Sequence, residues 1–213
     1  MLGVLKNFDL PSELYADDVR DIVGSCIERF GIREWKLVVM TNEIHGHLGI
    51  YSTLGAKMGL LARELFERQG ITDHISILSY AGSVPPVSCL NDGLQISTGA
   101  TVGHGLINVA EDPHKRVEAV FTAGEKSIRL YLKPEYEARI RQDISLGLEK
   151  YGTGAQYWQY VRELALKYWC GWDRNELFFV FRVDANGDGS VVDQGNLHVG
   201  AELSSACGAA DCD

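Results

Sequence analysis

Apolar side chains recur at two different periods along the first half of the chain. Between residues 12 and 30 they return every three or four positions, which predicts a helix. The apolar run 35–40 predicts a buried strand, and 41–47 a turn. A second helix is predicted over 48–69, where each internal glycine costs about 1 kcal/mol relative to alanine. Close approach of another backbone or a ligand is therefore expected at these glycines, Gly49, Gly55 and Gly59.

The next segment contains mainly strands. Alternating or continuous apolar runs predict strands at four places, 74–80, 105–109, 117–121 and 126–132. A short helix is predicted over 89–98, between the first two of them. The order of elements predicts an α+β domain over residues 1–132, with a mixed β-sheet and helices packed on it.

After Pro134 the pattern becomes helical again. Helices are predicted over 135–151 and 155–169, and a strand over 177–183. A turn at 184–189 and a returning strand over 191–199 complete an extension, residues 133–203, that packs on the first domain. Residues 204–213 are small and predict a flexible tail. The second helix carries a dense aromatic set, which indicates a core or a dimer surface: Tyr157, Trp158, Tyr160, Tyr168 and Trp169.

Charge and hydropathy exclude several classes of partner. The 213 residues carry a net charge of −9, and no basic stripe is present to neutralise phosphates. Nucleic acid and anionic membrane surfaces are therefore not expected partners. No apolar run approaches the roughly 20 residues that span a bilayer, and the N-terminal residues lack the apolar core of a signal peptide. A cytoplasmic location is expected.

The five cysteines form an odd and scattered set, which favours reduced thiols over a disulfide framework. Cys26 and Cys170 fall on apolar helix faces and are expected in the core. Cys207 and Cys212 form the only close pair, and no second pair is present to complete a four-cysteine zinc ribbon.

Two segments carry candidate chemistry. The first is His45-Gly-His47, in which a turn can aim two imidazoles at one metal ion, with Glu43 near enough to orient a ring. Two capping or surface histidines are the alternative. The second runs from Cys89 to Gly105 and combines a thiol, a carboxylate at Asp92, a histidine and several glycines. A buried cysteine followed by a glycine-rich turn is the alternative there.

Together these segments resemble the FmdE family, which is named after formylmethanofuran dehydrogenase. That family has His-Gly-His followed two places later by Cys-Pro-Gly, and then Cys-x-x-Asp-Ala/Gly-Ile/Leu-Gln-x-x-Thr-Gly-Cys-Thr-x-Gly-Lys-Gly. His45, Gly46 and His47 match the first pattern. The second is matched by Cys89, Asp92, Gly93, Leu94, Gln95, Thr98, Gly99, Thr101, Gly103 and Gly105.

The chain departs from the family pattern at several positions. Gly49 stands where the first pattern has cysteine, and Ile50 and Tyr51 replace Pro-Gly. Ala100 replaces the cysteine of the second pattern, and His104 replaces its lysine. Two of three expected thiols are therefore missing, which argues against a redox centre built from three thiols.

The resemblance implies a fold like the catalytic domain of glyceraldehyde-3-phosphate dehydrogenase, usually in a homodimer. It also implies association with molybdenum or tungsten oxidoreductase subunits. The chain has no molybdopterin or iron–sulfur motif of its own, so it is not expected to be the dehydrogenase itself.

The surviving donors, His45, His47 and Cys89, are sufficient for zinc or another divalent transition metal. Water, a small-molecule substrate or His104 would complete the coordination. Asp92 or Lys57 would move protons, although a solvated lysine is the alternative for Lys57. A ligand pocket would be shaped by Gln95, Thr98, Gly99, Thr101 and Gly103.

Three hypotheses follow. The first is a metal-binding protein of the FmdE type, with an accessory or metal- and cofactor-handling role in molybdenum- or tungsten-dependent one-carbon metabolism. The second is an enzyme at the His45/His47/Cys89 site, performing metal-assisted hydrolysis or aldehyde or formyl chemistry. The third is a structural dimerisation module that holds no metal.

Overall fold

A six-stranded sheet and the helices around it form the structure of this chain. The computed structural model describes residues 10–183 and the backbone of the short strand Gly189–Val191. The α-helices are α1 (Asp17–Arg20), α2 (Val23–His45), α3 (Ile50–Glu67), α4 (Leu90–Thr98), α5 (Pro134–Tyr151), α6 (Ala155–Gly171) and α7 (Arg174–Leu177). The strands are β1 (Ser76–Ser79), β2 (Ile107–Val109), β3 (Glu118–Ala123), β4 (Lys126–Leu132), β5 (Phe178–Val183) and β6 (Gly189–Val191).

The sheet is mixed, and its strand order is β2-β1-β3-β4-β5-β6. Strands β1 and β2 run parallel and are joined through α4, whereas all other neighbours are antiparallel. The predicted α+β class with a mixed sheet is confirmed. Strand β4 has the predicted bounds because Ile128, Leu130 and Leu132 alternate into the core, each at most 5% exposed.

The predicted strand over 35–40 is wrong, because these residues are helical. Helix α2 is broken at Gly31, whose φ of +86° ends a first helical segment, and the helix then continues to His45. Trp35, Val38 and Asn42 are buried at spacings of three and four residues, which is the period of a helix. The predicted turn over 41–47 therefore begins only at Gly46.

Helices α3 and α4 are in direct backbone contact through glycines. A Cβ atom on Gly55 would overlap the Leu90 carbonyl, and one on Gly93 would overlap the backbone of Ser52 and Ala56. A Cβ on Gly59 would overlap the Ser97 hydroxyl. The predicted close approach at Gly55 and Gly59 is therefore to another helix.

The predicted C-terminal extension joins the same sheet and core. Strand β5 pairs with β4 along its whole length, and Trp169 of α6 stacks on Trp35 of α2 with ring centroids 4.5 Å apart. Strand β6 pairs with β5 as the predicted hairpin requires. The rest of that hairpin and the predicted tail, residues 184–188 and 192–213, lie outside the described residues.

The aromatic set of α6 lies mainly in the core. Tyr157, Tyr168 and Trp169 are buried, whereas Trp158 is 59% exposed. Among the helices that the structure describes, none has the length and apolar character needed to cross a bilayer.

The glycine contact gives a first prediction. Gly93→Ala should lower the free energy of unfolding by about 1–3 kcal/mol, because the new methyl group forces α3 and α4 apart. Gly24→Ala is the matched control, since a Cβ at Gly24 meets nothing within 4 Å. Its stability should be unchanged or raised by up to about 1 kcal/mol. Urea unfolding followed by circular dichroism measures both, and equal stability of the two variants would contradict the contact.

Candidate metal centre

Both motif histidines lie where α2 ends. His45 is the last helical residue, and Gly46 follows in the left-handed conformation with φ +84°. Glycine adopts this conformation without steric cost, so the chain reverses sharply and returns His47 beside His45. The two rings lie with centroids 4.3 Å apart.

A buried hydrogen-bond network fixes this turn against the start of α3. The Asn42 Oδ1 atom accepts hydrogen bonds from the Gly49 N–H at 2.9 Å and from the Ser52 hydroxyl at 2.7 Å. The Asn42 side-chain amide donates to the Val38 carbonyl and to Thr53 Oγ1. The network therefore fixes the loop between α2 and α3 at both of its ends. The backbone that carries His45 and His47 is fixed with it.

Asp92 of α4 orients His45. Its Oδ2 atom lies 2.7 Å from His45 Nδ1, and the His45 side chain is only 10% exposed. A carboxylate oxygen can only accept, so the Nδ1 hydrogen points at Asp92 and the ring orientation is fixed. His45 Nε2 is buried and has no hydrogen-bond partner among the described residues. Buried polar atoms are rarely left in this state, so Nε2 is a candidate position for a ligand.

Cys89 approaches the histidines from the other side. It is the last residue of the 3₁₀-helix Val87–Cys89, directly before α4, and lines a cavity of about 280 Å³ together with His45 and His47. Burial and the Asp92 charge raise the pKa of the Cys89 thiol. The partial burial of its ring and the neighbouring His45 lower the pKa of His47, although much of this side chain is exposed. Cys89 is therefore held as a thiol, and His47 is favoured as a neutral imidazole.

The remaining wall of this cavity comes from residues that the motifs did not indicate. Tyr51 of α3 and Trp158 of α6 supply aromatic surface, and Glu137 and Arg141 of α5 supply charge. Arg141 donates to Glu137 at 2.8 Å. The only signal in the sequence was the aromatic density of α6, since nothing in the motifs connects α5 to the histidine turn of α2.

The four candidate groups do not form a finished coordination sphere. Within residues 10–183, no three side chains of His, Cys, Asp or Glu are already arranged to hold a metal ion. His45 and Asp92 are held by their hydrogen bond, whereas His47 is exposed and Cys89 is partly exposed.

The residues predicted to shape a ligand pocket mostly hold their own loop together. The Thr98 hydroxyl donates to Leu94 O at 2.6 Å and accepts from the Ala100 N–H, while Gln95 Oε1 accepts from the Val102 N–H at 3.1 Å. Thr101 caps the 3₁₀-helix Val102–His104. None of the five predicted residues is among those that line the histidine cavity: Gln95, Thr98, Gly99, Thr101 and Gly103. A role for them toward a cofactor stays a prediction.

His104 lies on this loop and does not line the cavity. It is exposed, and its Nδ1 atom lies 3.2 Å from the Gly99 carbonyl. The structure therefore brings His45, His47, Cys89 and Asp92 together but leaves His104 outside the group.

Lys57 does not lie where the sequence analysis predicted, either at the site or in solvent. It neither faces the histidines nor reaches solvent, because its side chain is 1% exposed and its Nζ atom contacts Glu34 Oε1 at 2.5 Å. The Trp172 carbonyl also accepts from Nζ, at 2.9 Å, and the ring of Phe30 lies 4.1 Å away. Burial lowers the pKa of Lys57, and Glu34 opposes that effect. Lys57 is thus part of a buried ion pair between α2 and α3.

Gly49, which stands where the family pattern has its first cysteine, lies next to the unpartnered Nε2 atom of His45. A Cβ atom on Gly49 would lie 3.3 Å from His45 Nε2 and 2.7 Å from Ser52 Oγ. A cysteine sulfur there would be within reach of the same ligand position. In this chain a buried glycine supplies no thiol there, and Ala100, at the second missing cysteine, is also fully buried.

The charge around Cys89 gives a second prediction. Asp92→Asn should lower the pKa of the Cys89 thiol, because the substitution removes the negative charge that disfavours the thiolate. The pH midpoint for alkylation of Cys89 by iodoacetamide, read by peptide mass spectrometry, should then fall. Glu137→Gln removes a carboxylate from the same cavity and should leave that midpoint in place. Equal midpoints in all three proteins would show that Asp92 does not act on the thiol.

Comparisons with known proteins include a family match that spans the residues of this site. The family FmdE, described as "Molybdenum formylmethanofuran dehydrogenase operon", matches residues 44–178, from the histidine turn to the start of β5. A "Probable S-adenosyl-L-methionine-binding protein" of Archaeoglobus fulgidus is 25% identical over 104 residues, which are 47% of this chain and 27% of that protein. The chain thus spans about a quarter of that relative.

A crystal structure of a tungsten formylmethanofuran dehydrogenase FmdE-like protein from Syntrophus aciditrophicus is also similar. It aligns with a TM-score of 0.44 and 15% identity, covering 79% of this chain and 78% of that one. The family match covers more than half of the 213 residues and includes His45, His47, Cys89 and Asp92. The chain belongs to the FmdE family.

Proposed function

We propose that this chain is a metal-binding protein of the FmdE type. It holds zinc or a similar divalent transition metal through His45, His47 and Cys89, and Asp92 orients the first histidine. The observation that carries the proposal is the buried Nε2 atom of His45, which has no hydrogen-bond partner among the described residues while its Nδ1 is fixed by a carboxylate. A carboxylate–histidine pair of this kind typically supports a metal ligand.

The donor set fits a zinc-like ion. Two imidazoles and one thiolate are ligands that zinc takes in proteins, with a fourth position left for water or substrate. His47 is favoured in the neutral form that a ligand must have. Cys89 must lose its proton on binding, so the affinity rises with pH. Rotation of the exposed His47 and of the partly exposed Cys89 toward His45 would complete the set.

The cellular role that we propose is an accessory one. The family is named for the operon of molybdenum formylmethanofuran dehydrogenase, and the chain carries no molybdopterin or iron–sulfur motif in its sequence. A protein that handles a metal or cofactor for molybdenum or tungsten oxidoreductase subunits fits both facts.

One observation favours catalysis as a second candidate. The cavity of about 280 Å³ adjoins the proposed ligands, so a small molecule bound there would contact the metal. A bound zinc-like ion would polarise a carbonyl or acidify a water molecule. Tyr51 and Trp158 would hold the apolar part of the molecule, and Glu137 and Arg141 would orient its polar part. Asp92 is engaged with His45 and acts as an orienting residue.

Metal content gives the third prediction. The untagged protein should retain about one zinc per chain after dialysis, measured by plasma mass spectrometry, and His45→Ala and Cys89→Ser should lose it. Asp92→Asn should weaken zinc binding by about 10–100-fold in competition with a chromogenic chelator, because His45 loses its orienting partner. The S-adenosyl-L-methionine named for the Archaeoglobus relative is a probe for the cavity in the same samples.

Two further histidines serve as controls. His104→Ala should bind zinc as the parent does, since His104 lies outside the cavity, and so should His74→Ala, which lines a different surface pocket. A loss of affinity in His104→Ala would make it the fourth ligand. A folded parent protein that retains no zinc, cobalt, nickel or iron would overturn the proposal.

A further inference from the structure

A second pair of thiols lies away from the histidine cavity. The Sγ atoms of Cys26 and Cys170 are in direct contact at 2.8 Å, although the residues are 144 positions apart. Cys26 belongs to the first segment of α2, before the break at Gly31, and is 2% exposed. Cys170 is the penultimate residue of α6 and is partly exposed. Cys170 is therefore the more accessible residue of the pair, and Cys26 is shielded.

Two cations lie next to this pair. The Arg29 guanidinium donates to the carbonyls of Cys170 at 3.0 Å and Gly171 at 3.2 Å, which neutralises the negative end of α6. The buried ammonium of Lys57 also lowers the pKa of Cys170, and the hydrogen bond from the Cys26 thiol lowers it most. The same hydrogen bond, together with burial, raises the pKa of Cys26. Cys170 is therefore the thiol of the pair that ionises more readily, and Cys26 holds its proton more firmly.

We propose that Cys26 and Cys170 form a redox modification site that a hydroperoxide converts to an intramolecular disulfide. The Cys170 thiolate attacks one peroxide oxygen, the O–O bond breaks, and the alkoxide or hydroxide that leaves takes a proton from water. This gives a sulfenic acid on Cys170. The Cys26 sulfur then attacks the Cys170 sulfur, and the departing hydroxide takes the Cys26 proton as water. Two thiols and one hydroperoxide give a disulfide, one alcohol or water, and one water.

The bond would connect parts of the chain that the fold brings together from opposite ends. It joins the first segment of α2 to the end of α6 and closes a loop of 144 residues, so it restricts the unfolded chain strongly. Neither cysteine lines the cavity that contains Cys89. The site is therefore separate from the proposed metal centre, and its test does not depend on metal.

Oxidation of the full chain by hydrogen peroxide tests the proposal. The reduced protein receives one equivalent of peroxide, is blocked with N-ethylmaleimide, and is digested without reduction for mass spectrometry. The expected product is a Cys26–Cys170 linked peptide, formed equally in a Cys89→Ser variant. The thermal midpoint should rise by roughly 5 °C or more. Recovery of both cysteines as maleimide adducts, while other thiols are oxidised, would overturn the proposal.

Single variants separate the role of Cys170, which reacts with the peroxide, from that of Cys26, which closes the disulfide. In Cys26→Ser, oxidation should stop at a sulfenic acid on Cys170, which dimedone traps, whereas Cys170→Ser should leave Cys26 unmodified. Arg29→Gln should move the pH profile of disulfide formation upward, and Arg29→Lys should restore it. A dimedone adduct on Cys89 instead of Cys170 in the Cys26→Ser protein would contradict the assigned order. The linked peptide from the parent chain decides the matter if a variant fails to fold.

Discussion

The contact between α3 and α4 is the constraint on which the candidate site depends. Gly55 and Gly93 bring the two backbones so close that no side chain fits between them. Since Asp92 is the neighbour of Gly93, this contact sets the distance between its carboxylate and His45. A pair of helices separated by side chains would be several ångströms wider, and the 2.7 Å hydrogen bond that fixes the ring would not form. Glycines that weaken each helix by their intrinsic propensity thereby position the chemistry.

Most of the fold could be predicted from the sequence, because hydrophobic periodicity reports directly on burial. Strand β4 shows this best, since its alternation gave both of its ends. The wrong prediction of a strand over residues 35–40 has a physical reason. Trp35 and the valines after it form a short apolar run that is compatible with a strand or with a helix buried on several sides. The helix is decided by contacts that the local sequence does not contain, above all the stacking of Trp35 on Trp169.

The candidate site was predictable only in part. The resemblance to the FmdE family placed His45, His47, Cys89 and Asp92 together, and the structure has the two histidines in ring contact and the Asp92 carboxylate on His45. Lys57 could not be placed, because its position depends on Glu34, which lies 23 residues earlier and is itself completely buried. A lysine in such a position is stable only when it is paired. The cavity wall formed by α5 and α6 could not be predicted either, because only tertiary packing brings these helices next to the two motifs.

The chain places two of its cysteines in opposite electrostatic environments, and this difference separates two kinds of chemistry. Burial and the neighbouring carboxylate of Asp92 raise the pKa of the Cys89 thiol, so this thiol holds its proton more firmly than an ordinary cysteine. Cys170 lies beside Arg29 and Lys57 and ionises more readily. An oxidant reacts with a thiolate, so it should meet Cys170 before Cys89. A divalent ion would gain from a neighbouring carboxylate and imidazoles, which Cys89 has and Cys170 lacks. The two proposals thus assign metal binding to one thiol and the response to oxidants to another.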